Sequence, residues 1–380
     1  MLILLGFALL GICMGVFTGL IPGLHVNNIT PVLVGLVAGS AIDVMSALSL
    51  IVAMMLTHTF LDYIPSTFLG VPDEDTALTV LPAHRLVLKG KGYEVIKLTA
   101  LGSLGALVVS AALVGPTIPV LGPVYESLSP NMHLLLVVIV GIMIIIERSI
   151  VKILWATGIF FLSGLLGVIV LDSNIGGGDG ALMPLLGGLF GLSVLLLSLN
   201  TEGNFPEQEI SEEPLKIRDN SRPICAGATA GFVTGIIPGV GPAQGTVLTQ
   251  IATRSGGPKD FLVGVSGVNT AKALLSFVAL YAIGRPRSGA AVAVDKILEV
   301  GTSELLFLIG IALFVGGIAT ILHLQLGKIA AKHVQKLPYK AMVIAVMVSI
   351  VAFSIYYTGI WGILILITST ALGLLPAAVK

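Results

Sequence analysis

Charge is scarce in this sequence. Only 11% of its 380 residues are Asp, Glu, Lys or Arg, where a soluble domain carries about 25%, so a water-exposed fold of this length could not clothe its surface. The charges that exist balance at 20 basic and 20 acidic residues, which leaves no basic face for nucleic acid. Cysteine is almost missing: Cys13 and Cys225, both in apolar stretches, make no disulfide framework. Alternating strand patterns are absent, which argues against an outer-membrane barrel. No Lys or Arg precedes Arg85 and no small-residue cleavage site follows the first apolar run, so that run is expected to belong to the fold rather than to a signal peptide. His-Glu-x-x-His, Walker A and Gly-x-Ser-x-Gly strings are also lacking, which points away from metal, nucleotide or acyl-enzyme catalysis. No catalytic residue, metal ligand or cofactor is expected.

What is present is apolar sequence, 56% of the chain. Crossing the hydrocarbon core takes about 20 helical residues. Residues 1–21, 132–146, 153–171, 181–199, 305–322 and 360–375 all read as membrane segments. The expected fold is therefore an all-α polytopic membrane protein.

An internal repeat organises it. Gly15-Val-Phe-Thr-Gly-Leu-Ile-Pro-Gly23 matches Gly231-Phe-Val-Thr-Gly-Ile-Ile-Pro-Gly239 at six of nine positions, and Gly70-Val-Pro-Asp73 answers Gly284-Arg-Pro-Arg287 at nearly the same offset. Two repeats follow, at 1–199 and 223–380, joined by a polar linker over 200–222 that reads as solvated and cytoplasmic. Short loops rich in Lys and Arg stay in the cytoplasm. Arg85, Lys89, Lys91 and Lys97, then Arg148 and Lys152, then Lys328, Lys332, Lys336 and Lys340 mark such loops. Counting spans between them places the loop after Pro72 inside and the loop after Pro286 outside, making the repeats inverted. Arg285, Arg287 and Lys296 then fall outside, against the usual bias.

Pro-Gly inside an apolar run breaks a helix, since Pro lacks a donor and Gly lowers helical preference. Both repeats carry one, Pro22-Gly23 and Pro238-Gly239. Irregular backbone at membrane depth survives only in protein or beside a wet cavity, and the next half-helix start favours an anion. The expectation is two broken helices or re-entrant hairpins around a central substrate site, lined by Pro22, Gly23, His25, Asn27, Asn28, Pro238, Gly239, Gln244, Asn269 and Lys272. The bland alternative is a pair of kinks for close helix packing. His58 and Asp62 share a helical face and are expected to couple transport to an ion, the alternative being that Asp62 merely orients His58. Asp73, Arg285 and Arg287 are expected to gate or steer at opposite mouths. Gly176-Gly-Gly-Asp179 matches the short string of intramembrane aspartyl proteases, but no partner motif accompanies it.

The chain resembles the TctA-like large membrane subunit of tripartite tricarboxylate transporters, in a shortened form. Gly19-Leu-Ile-Pro-Gly-Leu24 resembles that family's first Gly-x-x-Pro-Gly-Leu motif, Val71-Pro72 with Thr76-Ala-Leu78 and Lys89-Gly90 its Ile-Pro-Gly segment and basic loop. Residues 181–190 are similar to its Pro-x-x-x-Gly-Leu-Phe element, and Pro238-Gly-Val-Gly-Pro242 to its second Pro-Gly motif. Asn269-Thr-Ala271 and Gly284-Arg-Pro-Arg-Ser288 fall where the family has Asn-Asn-Ala and Gly-Ile-Pro-Gly-Ser. His25, Asp73 and Arg287 depart from it by standing at glycine positions. The resemblance implies a multi-pass cell-membrane permease for a small organic anion such as a di- or tricarboxylate, H⁺- or Na⁺-coupled. It further implies a small membrane subunit and an extracytoplasmic binding protein as partners, with membrane lipid around the chain and no nucleic acid. An alternative within the same fold is a flippase for a phosphorylated lipid carrier or another amphipathic anion.

Overall fold

Every expected membrane segment is helical in the computed structural model, which describes residues 2–21, 26–38, 42–70, 76, 79–147, 149–172, 181–199, 206–237, 240–242, 244–247, 257–336 and 339–379. The first half contains α1 (Leu2–Leu20), α2 (Val26–Ala38), α3 (Val44–Leu61), α4 (Tyr63–Phe68), α5 (Val80–Val87) and α6 (Gly92–Leu128). Then come α7 (Met132–Ile145), α8 (Ile150–Asp172), α9 (Leu182–Leu186) and α10 (Ser193–Leu199), the last two joined by one π-helical turn. The second half contains α11 (Ile217–Ile236), α12 (Pro258–Ile283), α13 (Gly289–Ile297), α14 (Thr302–His333), α15 (Tyr339–Thr358) and α16 (Ile360–Ala378). No strand occurs among the described residues. Seven helical segments among them are long and apolar enough to cross a membrane, so the chain is an all-α multi-pass membrane protein.

Burial is uneven in an informative way. α3 and α12 are enclosed along nearly their whole length, whereas α8 presents Trp155, Phe161, Leu165 and Ile169 outward. Outward apolar side chains are the expected face toward lipid, while polar groups withdraw to the helix-packed interior. The interior helices are those with Thr57, His58, Asp62, Asn269 and Thr270, all buried.

Glycines set how closely these helices pack. On α1, Gly11, Gly15 and Gly19 abut Leu50, Met54 and His58 of α3 in turn. On α11, Gly227, Gly231 and Gly235 abut Gly264, Val268 and Leu275 of α12 in the same order. Each pair is therefore parallel, and the small-residue stripe lets backbones approach where a side chain would hold them apart. The repeat extends to hydrogen bonding: Thr18 Oγ1 donates to Gly15 O at 3.2 Å, and Thr234 Oγ1 to Gly231 O at 3.1 Å. It also reaches the helix ends, where Gly70 (φ 66°) and Gly284 (φ 60°) both turn the chain in the left-handed region that only glycine adopts without strain. By this register His58 corresponds to Lys272.

Because α1 and α3 are parallel, the end of α1 and the start of α3 lie at opposite ends of their seam. α6 and α14 face each other in opposite directions: Ile96 against Gly327, Thr99 against His323, Leu107 against Gly316. α12 runs parallel to α6, with Gly102 and Ala106 against Val263 and Gly267.

The described part of the polar linker, from Pro206 onward, is hydrogen-bonded to the bundle while most of its side chains stay exposed. Gln208 is buried; its Oε1 accepts from Gly92 N at 2.8 Å and its Nε2 donates to Val87 O and Pro206 O. Lys97 Nζ donates to Ser211 O and Glu213 O, Lys328 pairs with Glu212, and Glu209 N bonds Gly90 O. Lys259, at the start of α12, pairs with Glu94 at the start of α6. One end of the bundle thus collects the linker, the starts of α6, α11 and α12 and the end of α14. The linker's last residues already form the first turns of α11, which begins at Ile217.

Candidate functional site

α3 does not run through. Its last hydrogen-bonded turn ends at Asp62, whose N–H bonds His58 O at 3.0 Å, and Asp62 then precedes the short α4, which carries Pro65. Asp62 itself keeps helical dihedrals, φ −58° and ψ −23°, so the boundary is a local interruption within one buried apolar segment, Val44–Phe68. Asn269, in the middle of α12, donates from Nδ2 to Asp62 Oδ2 at 3.2 Å. Both side chains are buried, with 4% and 2% exposure, so this bond joins the two halves of the sequence in an environment without competing water. The sequence reading had assigned Asp62 to ion coupling and Asn269 to substrate binding; the fold brings them into one contact.

His58 sits one turn before Asp62, and its Nδ1 lies 3.1 Å from Thr18 Oγ1. That threonine is the one in the repeated Gly-x-x-Thr-Gly motif, so the motif serves α3 directly. The bonds described for His58 and Asp62 lead in different directions, to α1 and to α12. Beside them in sequence, Thr57 Oγ1 and Thr270 Oγ1 are buried with no hydrogen-bond partner among the described residues. Unmet hydroxyls in a low-dielectric interior are costly, and they add polar capacity to the same core. Lys272 is half-buried on α12, near the Gly231 contact with α11.

The other expected site residues divide as follows. Pro22, Gly23, His25, Asp73, Pro238 and Gly239 lie outside the described residues, as do the side chains of Asn27 and Asn28, whose backbone opens α2. Gln244 uses its Oε1 to accept from Gly241 N at 2.9 Å, holding the turn after the second Pro-Gly. Arg285 is exposed. Arg287 is half-buried, its guanidinium 5.3 Å from the Tyr125 ring centre, and its Nε and Nη2 are shielded from solvent with no hydrogen-bond partner among the described residues. Both arginines follow the end of α12, at the bundle end opposite the docked linker.

Residues missed from the sequence include Thr18, Gln208, Tyr125 and the buried pair Thr99 and His323, whose Oγ1 and Nε2 are 2.9 Å apart. A histidine set within the apolar stretch of α14 was the available signal for the last. At the linker end, burial pushes the His84 imidazole below its ordinary value, and the Lys328 ammonium holds the exposed Glu212 carboxyl below the usual carboxylate range.

Three or more His, Cys, Asp or Glu side chains do not gather in metal-binding geometry among the described residues. The arrangement is a polar crossing inside an apolar bundle, with a carboxyl group at a helix break and the Asn269 amide bonded to it. No solved structure gives a significant match to the chain. An uncharacterised protein of Methanocaldococcus jannaschii is 28% identical, over 97% of this chain and 92% of that protein. The family model described as "Tripartite tricarboxylate transporter TctA family" matches residues 5–380. Essentially the whole described bundle, including the polar crossing, falls within that match, and the chain belongs to the tripartite tricarboxylate transporter TctA family, a family of transporters and not of enzymes.

Proposed function

We propose that this chain is the permease subunit of a cell-membrane importer for a small organic anion of the di- or tricarboxylate class, driven by H⁺ or Na⁺. The observation that carries the reading is the buried Asp62–Asn269 bond, which ties α3 to α12 at a helix break in the centre of the bundle. A bond between halves that can be made or broken gives a two-state element, and a substrate or ion shifts such an equilibrium only by binding one state better. An ion binding at Asp62 would do so.

The halves are proposed to be inverted repeats, 1–199 and 223–380, related across the core. The opposed run of α6 and α14 and the shared register of the two glycine seams support this. The end with Lys89, Lys91, Lys97, Lys328, Lys332 and Lys336 is assigned to the cytoplasm by the positive-inside bias, together with the linker over 200–222. The two Pro-Gly breaks, with His25, Asn27, Asn28, Gln244 and Lys272, are proposed as the substrate-facing set. TctA proteins normally work with two companion subunits; a small membrane protein and an extracytoplasmic binding protein are proposed partners here.

Reconstitution tests this. Purified protein in liposomes, with and without the companion subunits, is offered labelled citrate, succinate and acetate under imposed pH or Na⁺ gradients. Accumulation of a carboxylate under one gradient is expected. Failure to bind or accumulate any of the three, under either gradient and with companions present, would reject the reading.

A further inference from the structure

Arg287 stands out as a half-buried cation with no acid paired to it among the described residues. Its backbone is held firmly: Gly284 ends α12 in the left-handed region, and Ser288 caps α13 by accepting from Ala291 N while its Oγ lies 2.9 Å from Ser276 Oγ. The guanidinium carbon lies over the Tyr125 ring, 5.3 Å from its centre. The acidic groups on the elements around it are engaged elsewhere or turned outward. Glu304 accepts from Gly301 N at 3.0 Å, and Glu126, Asp295 and Glu299 are exposed. Among the described residues neither Nε nor Nη2 has a hydrogen-bond partner, which is costly for an ionised group that could donate five hydrogen bonds. The position also runs against charge placement. Arg285, Arg287 and Lys296 lie at the end opposite the lysine-rich linker end, where basic residues are ordinarily avoided.

We infer that Arg287 is a contact site for a carboxylate at the mouth opposite the linker, its Nε–Nη2 edge taking one carboxylate side-on while Tyr125 holds the guanidinium plane. The inference rests on the organic-anion reading above and deepens it. It also replaces long-range steering with direct contact. A guanidinium presents two parallel N–H groups that match the two carboxylate oxygens, and an ammonium cannot. Steering needs only charge, so lysine would serve it equally. In the described conformation the edge is closed off, so a carboxylate would favour the conformer that uncovers it.

Citrate binding to the purified full chain decides the matter, measured calorimetrically at low and high salt. Arg287→Lys is expected to weaken citrate affinity about tenfold or more at both salt concentrations, while Arg285→Lys changes it little. Wild-type affinity in Arg287→Lys would overturn the inference while leaving the transport reading intact. No citrate, succinate or acetate binding to the wild type would instead remove the reading on which it rests. If Arg287→Lys does not fold, the ring decides: Tyr125→Phe should keep the affinity and Tyr125→Leu lose it, and equal affinity in these two variants would overturn the assignment.

Discussion

Packing is close along the glycine seam between α1 and α3, where a single methyl group is a severe test. A Cβ added at Gly15 would stand 2.6 Å from both Met54 O and Thr57 Cβ, and one at Gly19 would stand 2.8 Å from Leu61 Cβ. Non-bonded carbon atoms prefer about 3.5–4.0 Å, so α1 would have to retreat by about 1 Å. Met54 O is backbone on a fully buried helix and cannot turn aside. Gly6, on the same helix, would meet nothing within 4 Å. Alanine at both positions gains the same helical preference of about 1 kcal/mol, which cancels when the variants are compared. The difference between Gly15→Ala and Gly6→Ala therefore isolates the contact, at about 1–3 kcal/mol of overpacking. Reversible unfolding in mixed micelles measures it, with Gly6→Ala at or above wild-type stability and Gly15→Ala below it. Equal stability of the two variants would refute the close seam. The corresponding Gly231→Ala in α11 should behave like Gly15→Ala, since its Cβ would strike Ala271 on α12.

Other consequences follow from the polar groups. Asp62→Asn should leave the bundle folded but uncouple uptake from an imposed pH gradient in liposomes; an unchanged pH profile would return Asp62 to a structural role. Gln208→Ala removes the acceptor for the Gly92 N–H and should cost about 1–3 kcal/mol, read as lower stability and faster proteolysis within the linker. His84 has a folded value below its unfolded one, so the unfolded chain takes the proton first as the medium acidifies. Stability should be full above about pH 6.5 and decline as pH falls toward the folded value. His84→Gln should flatten that decline in thermal melts, and an unaltered slope would assign the acid sensitivity to another group.

Much of the architecture was legible because membrane insertion imposes a simple rule on composition. Apolar runs marked α1, α7, α8, α14 and α16, and the repeated Gly-Val-Phe-Thr-Gly and Gly-Phe-Val-Thr-Gly strings marked the two glycine seams before any contact was known. Histidine, aspartate and asparagine inside apolar segments were conspicuous for the same reason, since lipid tolerates none of them cheaply. The docking of the linker was not legible, because a Gln-, Glu- and Ser-rich stretch reads as solvated until its hydrogen-bond partners are known. Nor could a local reading show that Arg287 lies over the ring of Tyr125, which is on another helix far away in sequence.

What sequence alone determined was therefore the class of molecule: an all-helical membrane protein with a duplicated core motif and a few polar groups set into apolar helices. Those properties reside in local composition and spacing, which the bilayer reads one segment at a time. Only the tertiary structure decided which of those groups meet. Asp62 and Asn269 are joined because α3 and α12 lie buried side by side between the two halves. His58 faces Thr18 because glycines let α1 come close enough for a side-chain contact. Pairings of that kind depend on how several helices pack at once, and no segment carries that information by itself.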